Sequence, residues 1–383
     1  MIFEQLKSGK KTGWNRNFAL LLFAVLMVGG FFGVLFTLYN NFIVERVGIE
    51  AHELGIIEAL REIPGLLNVI ILALLIGVAP ALFGCWSLVF LGLGIIGFTQ
   101  VDSVLTLALF SVVWSIGFHC WIPLEAAMAL TFSEDKEKGR VLGLLRSVSG
   151  FGGLAAILFC LITFRFLGYD GLFVLAGAAA IIGGLGLLFM TERGDSVQGE
   201  NFVFKRKFRY FYLLEFLQGC RKQMFITFAI FALVKVHHMP IETTIVLVLF
   251  NQVVVMMTGP MLGRLVDRFG ERRMLSASYI GLFFIFLGYA FIKDRPVLYV
   301  LYCLDNVIFF GGIALTTYLH RIASPEELRP TLSMGVTMNH VASVAAPLMG
   351  GYAWYLFGYE VIFLGGAGIC LVSLIVTQRI EEY

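Results

Sequence analysis

Apolar stretches of about 20 residues follow one another along the chain, separated by short polar islands, and each is long enough to cross a hydrocarbon core roughly 30 Å thick. In lipid every backbone polar group must be satisfied within its own segment or in a closed barrel, so stretches of this length are expected as helices. Reading the runs between polar or Gly/Pro breaks gives twelve spans: 18–41, 54–76, 79–98, 103–131, 140–163, 169–190, 208–235, 241–262, 274–292, 297–319, 331–354 and 359–378. Composition agrees, since 59% of the 383 residues are hydrophobic and 14% are charged. The mean hydropathy is +0.87, far above that of a water-soluble chain of this size. The break between the second and third spans, around Gly77 to Pro80, carries no charge and is the least marked.

The first apolar run is too long for a signal-peptide core and lacks a small-residue cleavage site, so it is expected to stay as a membrane helix. With the N-terminus inside, nineteen of the 28 Lys and Arg fall on inner segments, and only Arg46, Arg165, Lys235, Lys293 and Arg295 fall outside. The excess of inner cations predicts that both termini are cytoplasmic, in a plasma-membrane protein. The remaining four cations, Arg61, Arg146, Arg221 and Lys222, lie within spans. Facing lipid at a helix centre each would cost about 2.5–3.5 kcal/mol, so they are expected to face a cavity or carboxylate partners.

A net charge of +2 and the lack of a basic cluster with exposed aromatics give no sign of nucleic-acid binding. All six cysteines sit in apolar runs without CxxC spacing, as small packing residues. No GxxxxGK[ST] phosphate loop occurs, and no nucleophile–base set marks an enzyme. No cofactor or metal is expected; a metal would have to draw on His119, His340 and acids, and the His237-His238 pair shows no ligand spacing.

The longest polar stretch, 191–207, divides the spans six and six, which predicts bundles over 1–190 and 208–383 joined by a cytoplasmic linker. The halves share a phrase. A shift of 186 residues lays GVAPALFGCWS (77–87) on GRLVDRFGERR (263–273), matching Gly77 with Gly263 and Gly84 with Gly270 while every charge is lost from the first copy. Internal repetition of this kind is typical of transporter folds. Both phrases follow the second span of their half, so the glycines are expected to serve the same tight connection.

The charged copy resembles the loop signature of the major facilitator superfamily. Gly263, Asp267, Arg268, Gly270, Arg272 and Arg273 match its G-x-x-x-D-R-x-G-R-[KR]-[KR] pattern, with Glu271 where an Arg is usual. The resemblance implies an all-α membrane fold of twelve helices in two pseudo-symmetric bundles, and a gating role for the signature. Asp267 would offer its carboxylate to a helix N-terminus near Gly139 to Val141, where the macrodipole favours negative charge. The alternative is that these charges only orient the loop.

Several spans carry polar stripes at helical spacing. Asn40 or Asn41 ends a face with Gly29, Gly33 and Thr37, suited to lining a cavity or to close packing. The second span carries Glu58, Arg61, Glu62, Gly65 and Asn68, with Arg61 placed to pair with Glu58. Glu125 and Arg146 lie at similar depth on adjacent spans, so a salt bridge or a binding site could use both. The seventh span carries Glu215, Gln218 and Lys222 on one face with Arg221 beside them; the tenth carries Tyr302, Asp305 and Asn306; the eleventh carries Thr337, Asn339 and His340. Asp305 has no cation in its own span, which makes it a candidate to carry a proton in one state of a cycle. His119 and His340 could titrate near neutral pH, although a lone membrane histidine also serves as a packing residue.

Together these features predict a monomeric secondary transporter working by alternating access. A small anionic or zwitterionic organic solute would be held by Asn40, Asn41, Glu125, Arg146, Arg221, Lys222, Asn306 and His340. Protons would be coupled through Glu58, Glu62, Glu215, Asp305 or His119. Efflux of amphipathic compounds is the rival, and a receptor or membrane-embedded enzyme the more distant alternatives.

Overall fold

The computed structural model is described over residues 16–67, 77–132, 138–191, 204–309 and 311–380, apart from the side chains of residues 259, 260, 263, 267, 311, 313, 325 and 329. Every regular element among the described residues is a helix. In chain order these are α1 (Arg16–Phe42), α2 (Ala51–Leu66), α3 (Pro80–Gly97), α4 (Val104–Thr131), α5 (Lys138–Leu187) and α6 (Arg209–Lys235). They continue as α7 (Ile241–Phe269), α8 (Glu271–Phe291), α9 (Arg295–Ile308), α10 (Gly311–Ile322), α11 (Pro325–Phe357) and α12 (Glu360–Thr377). Among the described residues seven segments are long and apolar enough to cross a membrane.

Two labels do not match single spans. The 50 residues of α5 would reach about 75 Å if straight, more than twice the hydrocarbon core. Gly168 interrupts them with φ 59° and ψ −166°, a conformation that favours glycine, so α5 consists of two limbs. The reverse holds for the span expected at 297–319. It is broken, because α9 ends at Ile308 and α10 starts at Gly311. A carbonyl freed by the break, that of Ile308, accepts a hydrogen bond from the Ser278 hydroxyl on α8 at 2.8 Å.

Contacts group the chain into two compact units, Met1–Tyr39 with Leu67–Gly199 and Asn40–Leu66 with Glu200–Tyr383. In the first, glycines bring backbones together. A Cβ on Gly29 would strike the Ser149 backbone, and one on Gly33 would stand 2.5 Å from the Gly153 carbonyl, so α1 and the first limb of α5 touch along their main chains. Gly92 of α3 meets Gly177 of the second limb in the same way. Close packing therefore takes the small face of α1, and the Thr37 hydroxyl turns back to the Gly33 carbonyl at 2.6 Å.

In the second unit α2 packs on α11, where Gly55 and Gly351 let the backbones meet, and α6 packs on α11 through Gly219 against Asn339 and Ala342. The end of α1 belongs here too. The Asn41 amide nitrogen donates to the Met239 carbonyl at 3.0 Å, while its oxygen accepts from the Thr244 hydroxyl at 2.8 Å. Lys235, at the end of α6, donates to the Ile49 carbonyl at 3.0 Å and to the Glu50 carboxylate at 2.8 Å.

The repeated phrase also needs correction. In the second half the charged signature is largely helical: positions 263, 267 and 268 lie in the last turns of α7, and only Gly270, at φ 80° and ψ 156°, separates α7 from α8. In the first half the turn falls at Gly77, with φ 93°, and α3 starts at Pro80. Gly84 is therefore inside a helix, close against Leu187 and Trp121. The matched glycines do different work in the two halves, and the two turns stand seven residues out of the sequence register.

Candidate functional site

The helix break gathers the buried charge of the second unit. Asp305 lies one turn before the end of α9, and Arg221 of α6 reaches it with Nη1 at 2.8 and 2.9 Å from the two carboxylate oxygens. Both side chains are 2% exposed. The span expected at 297–319 offers Asp305 no cation, and the one that meets it comes from another helix. Its partner lies 84 residues away, where no spacing rule could reveal it.

The guanidinium of Arg221 also lies over the ring of Phe309, 3.9 Å from its centroid, at the break itself. An aromatic face attracts a desolvated cation, which helps to offset removing Arg221 from water. Among the described residues, Nε of Arg221 and Oε1 of Gln218 are buried there without a hydrogen-bond partner. Residues 218 and 221 are three apart on α6 and share a face, and the other end of the Gln218 amide points toward Gly312 at the start of α10. One donor and one acceptor are thus left over beside a broken helix. The carboxamide of Asn306, one residue after Asp305, is already given to the Tyr302 carbonyl at 2.9 Å.

A second polar group joins α2, α6 and α11. Arg61 pairs with Glu58 at 2.8 Å within α2, as its i, i+3 spacing suggests, and approaches Glu62 at 3.5 Å. Glu62 in turn lies 3.4 Å from Nδ1 of His340 on α11. Lys222 donates to the Asn339 side-chain oxygen at 2.7 Å, with the charges of Glu62 and Glu215 acting on it from further away. Unpaired charges at these positions would be costly in hydrocarbon; here each cation has a polar partner and the acids surround them.

The other expected residues separate by environment. Asn41 is fully buried and both ends of its amide are engaged, so it ties α1 to the segment 239–244. Asn40 is half-buried beside it. In the first unit, Nδ1 of His119 is 3.0 Å from both the hydroxyl and the carbonyl of Ser115, and its ring meets Phe118 edge-on, the arrangement of a packing histidine. Glu125 and Arg146 feel each other's charge but form no ion pair. Gly263 and the side chain of Asp267 lie outside the described side chains, so the contacts of that gate are not part of this picture. Arg268 lies against Phe269, and Arg272 reaches Gln378 at 3.3 Å. Arg273 stands exposed in the first turn of α8. Glu271, the departure from the signature, is buried and pairs with Arg321 of α10 at 3.0 Å.

Sequence reasoning missed the helix break, the stacking of Phe309, and the leftover polar atoms of Gln218 and Arg221. The Gly311-Gly312 pair within an apolar run was the available signal.

An interrupted helix beside a buried ion pair, inside a chain with membrane-length apolar helices, is the arrangement of a multi-pass membrane transporter. The family comparison makes the assignment specific: residues 20–334 match the model of the Major Facilitator Superfamily, and the chain belongs to that family. Among solved structures, a mutant form of the nucleoside transporter NupG is similar with a TM-score of 0.81 and 13% identity, covering 96% of this chain and 100% of that one. A bacterial homolog to the human lysosomal transporter Spinster, in an inward-facing and occupied conformation, gives a TM-score of 0.73 at 15% identity over 96% and 97% of the two chains. At such identities the likeness is one of fold. No curated protein matches the sequence significantly. Membership of this family places the chain among transporters and not among enzymes.

Proposed function

We propose that the protein is a secondary active transporter that moves a small polar organic solute, anionic or zwitterionic, by alternating access with proton coupling. The observation that carries this reading is the polar centre of the second unit. Arg221–Asp305 is a neutralised pair with a donor and an acceptor to spare, and the cation Lys222 stands on the adjacent face of α6. A carboxylate or phosphate on the solute would exchange with Asn339 for Lys222, while a neutral polar edge would take Nε of Arg221 and Oε1 of Gln218. The contact between Glu62 and His340 joins an acid to a potential proton acceptor, and this supports proton coupling. Glu58, Glu215, Asp305 and His119 remain candidates in the same role, and Asn40, Asn306, Glu125 and Arg146 remain candidates for the solute.

In this reading the chain works as a monomer in the plasma membrane. Twelve spans form bundles over 1–190 and 208–383, joined by the linker 191–207, with both termini cytoplasmic. NupG, similar in fold, is a nucleoside transporter. A solute of that size, polar at several edges, would suit the leftover atoms here, and nucleosides belong in the first screen. The signature around Asp267 would act as a gate, so Asp267→Asn should change the accessibility of inner-side cysteine probes.

The decisive experiment is flux in proteoliposomes under an imposed pH gradient, screened with organic anions, zwitterions, nucleosides and cationic dyes. Uptake of an anion or zwitterion, with a matching change of internal pH, is the expected result. Movement of the dyes alone would favour efflux of amphipathic compounds. If ligands bind but nothing crosses, the transport reading fails.

A further inference from the structure

A strongly basic pocket lies within the second unit, apart from the buried centre. It has a volume of about 580 Å³ and is lined by Arg206, Lys207, Arg209 and Arg379 together with Tyr210 and Tyr318. Three helix ends meet there: the start of α6, the last turns of α10, and the residues just after α12. Among the described residues, no carboxylate lines it. The nearby acid is Glu327, which receives both Lys205, at 2.8 Å, and Lys207. These two cations hold the Glu327 carboxyl down to about 2, so it stays ionised and its charge is fully matched by them.

Among the described residues three arginines therefore remain as surplus. Arg209 lies over the Tyr210 ring, 4.8 Å from its centroid, and donates to its hydroxyl at 3.2 Å, which fixes one guanidinium at the wall. Arg206 and Arg379 are exposed and make no ion pair among the described residues. Guanidinium forks match phosphate oxygens two at a time, and tyrosines suit the level of lipid headgroups. The volume falls in the range of small-molecule sites, and basic pockets between membrane helices receive lipid phosphates.

We propose that this pocket is a phosphate-binding site, filled by the headgroup of an anionic lipid or by a soluble phosphorylated compound. Its occupant would join the end of the linker to α6, α10 and α12, independently of what the buried centre carries.

The test uses the full chain in nanodiscs of neutral lipid, with and without phosphatidylglycerol, and separately with inorganic phosphate or glycerol 3-phosphate in solution. The readouts are native mass spectrometry for retained ligand and the thermal unfolding midpoint. Wild-type protein should retain one phosphate-bearing ligand, more weakly as salt rises. The R206Q/R379Q variant should bind it about thirtyfold more weakly, at roughly a fivefold loss for each cation near a charged surface. Equal midpoints in neutral lipid show that the variant is folded. Should it not fold, the salt dependence of the wild type and a single Arg379→Gln variant serve instead. Retention of phosphatidylglycerol without competition from the soluble phosphates assigns the site to lipid; competition assigns it to a soluble compound. Absence of both ligands from the wild type, or equal retention by the variant, overturns the proposal.

Discussion

The two units are each held together internally by different means. In the first, α1, α3 and the limbs of α5 meet at glycines, and at Gly29, Gly33 and Gly92 main chain lies against main chain. In the second, the centre is an ion pair from α6 and α9 with a cation–aromatic contact, flanked by charges shared among α2, α6 and α11. Glycine packing asks only for small residues at the right spacing and gives close approach in a medium that offers no hydrophobic drive. Buried charge demands particular partners, and it brings groups that can bind a solute or release a proton. The first unit thus reads as the firmer scaffold and the second as the seat of the chemistry.

Substitutions can break this contrast, and the largest effect is expected at the ion pair. Asp305→Asn leaves Arg221 buried without a counter-charge and should lower stability by about 3–5 kcal/mol, read by thermal unfolding in detergent. The R221M/D305L variant should regain most of that stability while flux stays lost; recovery of flux as well would reduce the pair to a structural role. In the first unit Gly33→Val should cost about 1–3 kcal/mol by forcing α1 from α5. If Gly33→Val is neutral, the scaffold side of the comparison falls.

A functional change with little loss of stability is expected at Lys222. Lys222→Gln should weaken solute affinity about tenfold to a hundredfold, the worth of a hydrogen bond to a charged group, measured as the half-saturating concentration for flux. Glu125→Gln should change stability by less than about 0.5 kcal/mol, because Glu125 makes no ion pair among the described residues; a larger drop in the melting midpoint would mean the first unit also relies on charge.

The smallest effect is expected at the Glu327 clasp. The folded pKa of Glu327 is depressed, so the clasp on Lys205 and Lys207 is complete above the ordinary carboxylate range and is lost as pH falls toward about 2. Limited proteolysis of the linker should accelerate over that acid window in wild type. Glu327→Gln should remove the pH dependence; a persistent acid transition would place it elsewhere.

Much of the fold was legible in the residues because helix length and hydropathy are local properties. The apolar runs marked the helices, the gap between the runs 140–163 and 169–190 marked the two limbs of α5, and GRLVDRFGERR marked the family. Arg61 with Glu58 was legible for the same reason, since three residues along a helix decide who meets whom. The repeat misled at the turns. Identity at Gly84 suggested a turn, yet the flanking chain put Pro80 at the start of α3 and left Gly84 to packing.

By itself the sequence determined a many-spanning helical membrane protein of the transporter type, because each of those properties is written within about 20 consecutive residues. Tertiary structure alone decided that Asp305 faces Arg221, that Asn41 anchors the end of α1, and that the tenth span breaks beside Phe309. Those outcomes depend on contacts between residues as much as 203 positions apart. Only packing chooses among the polar partners that a stripe on a helix could accept.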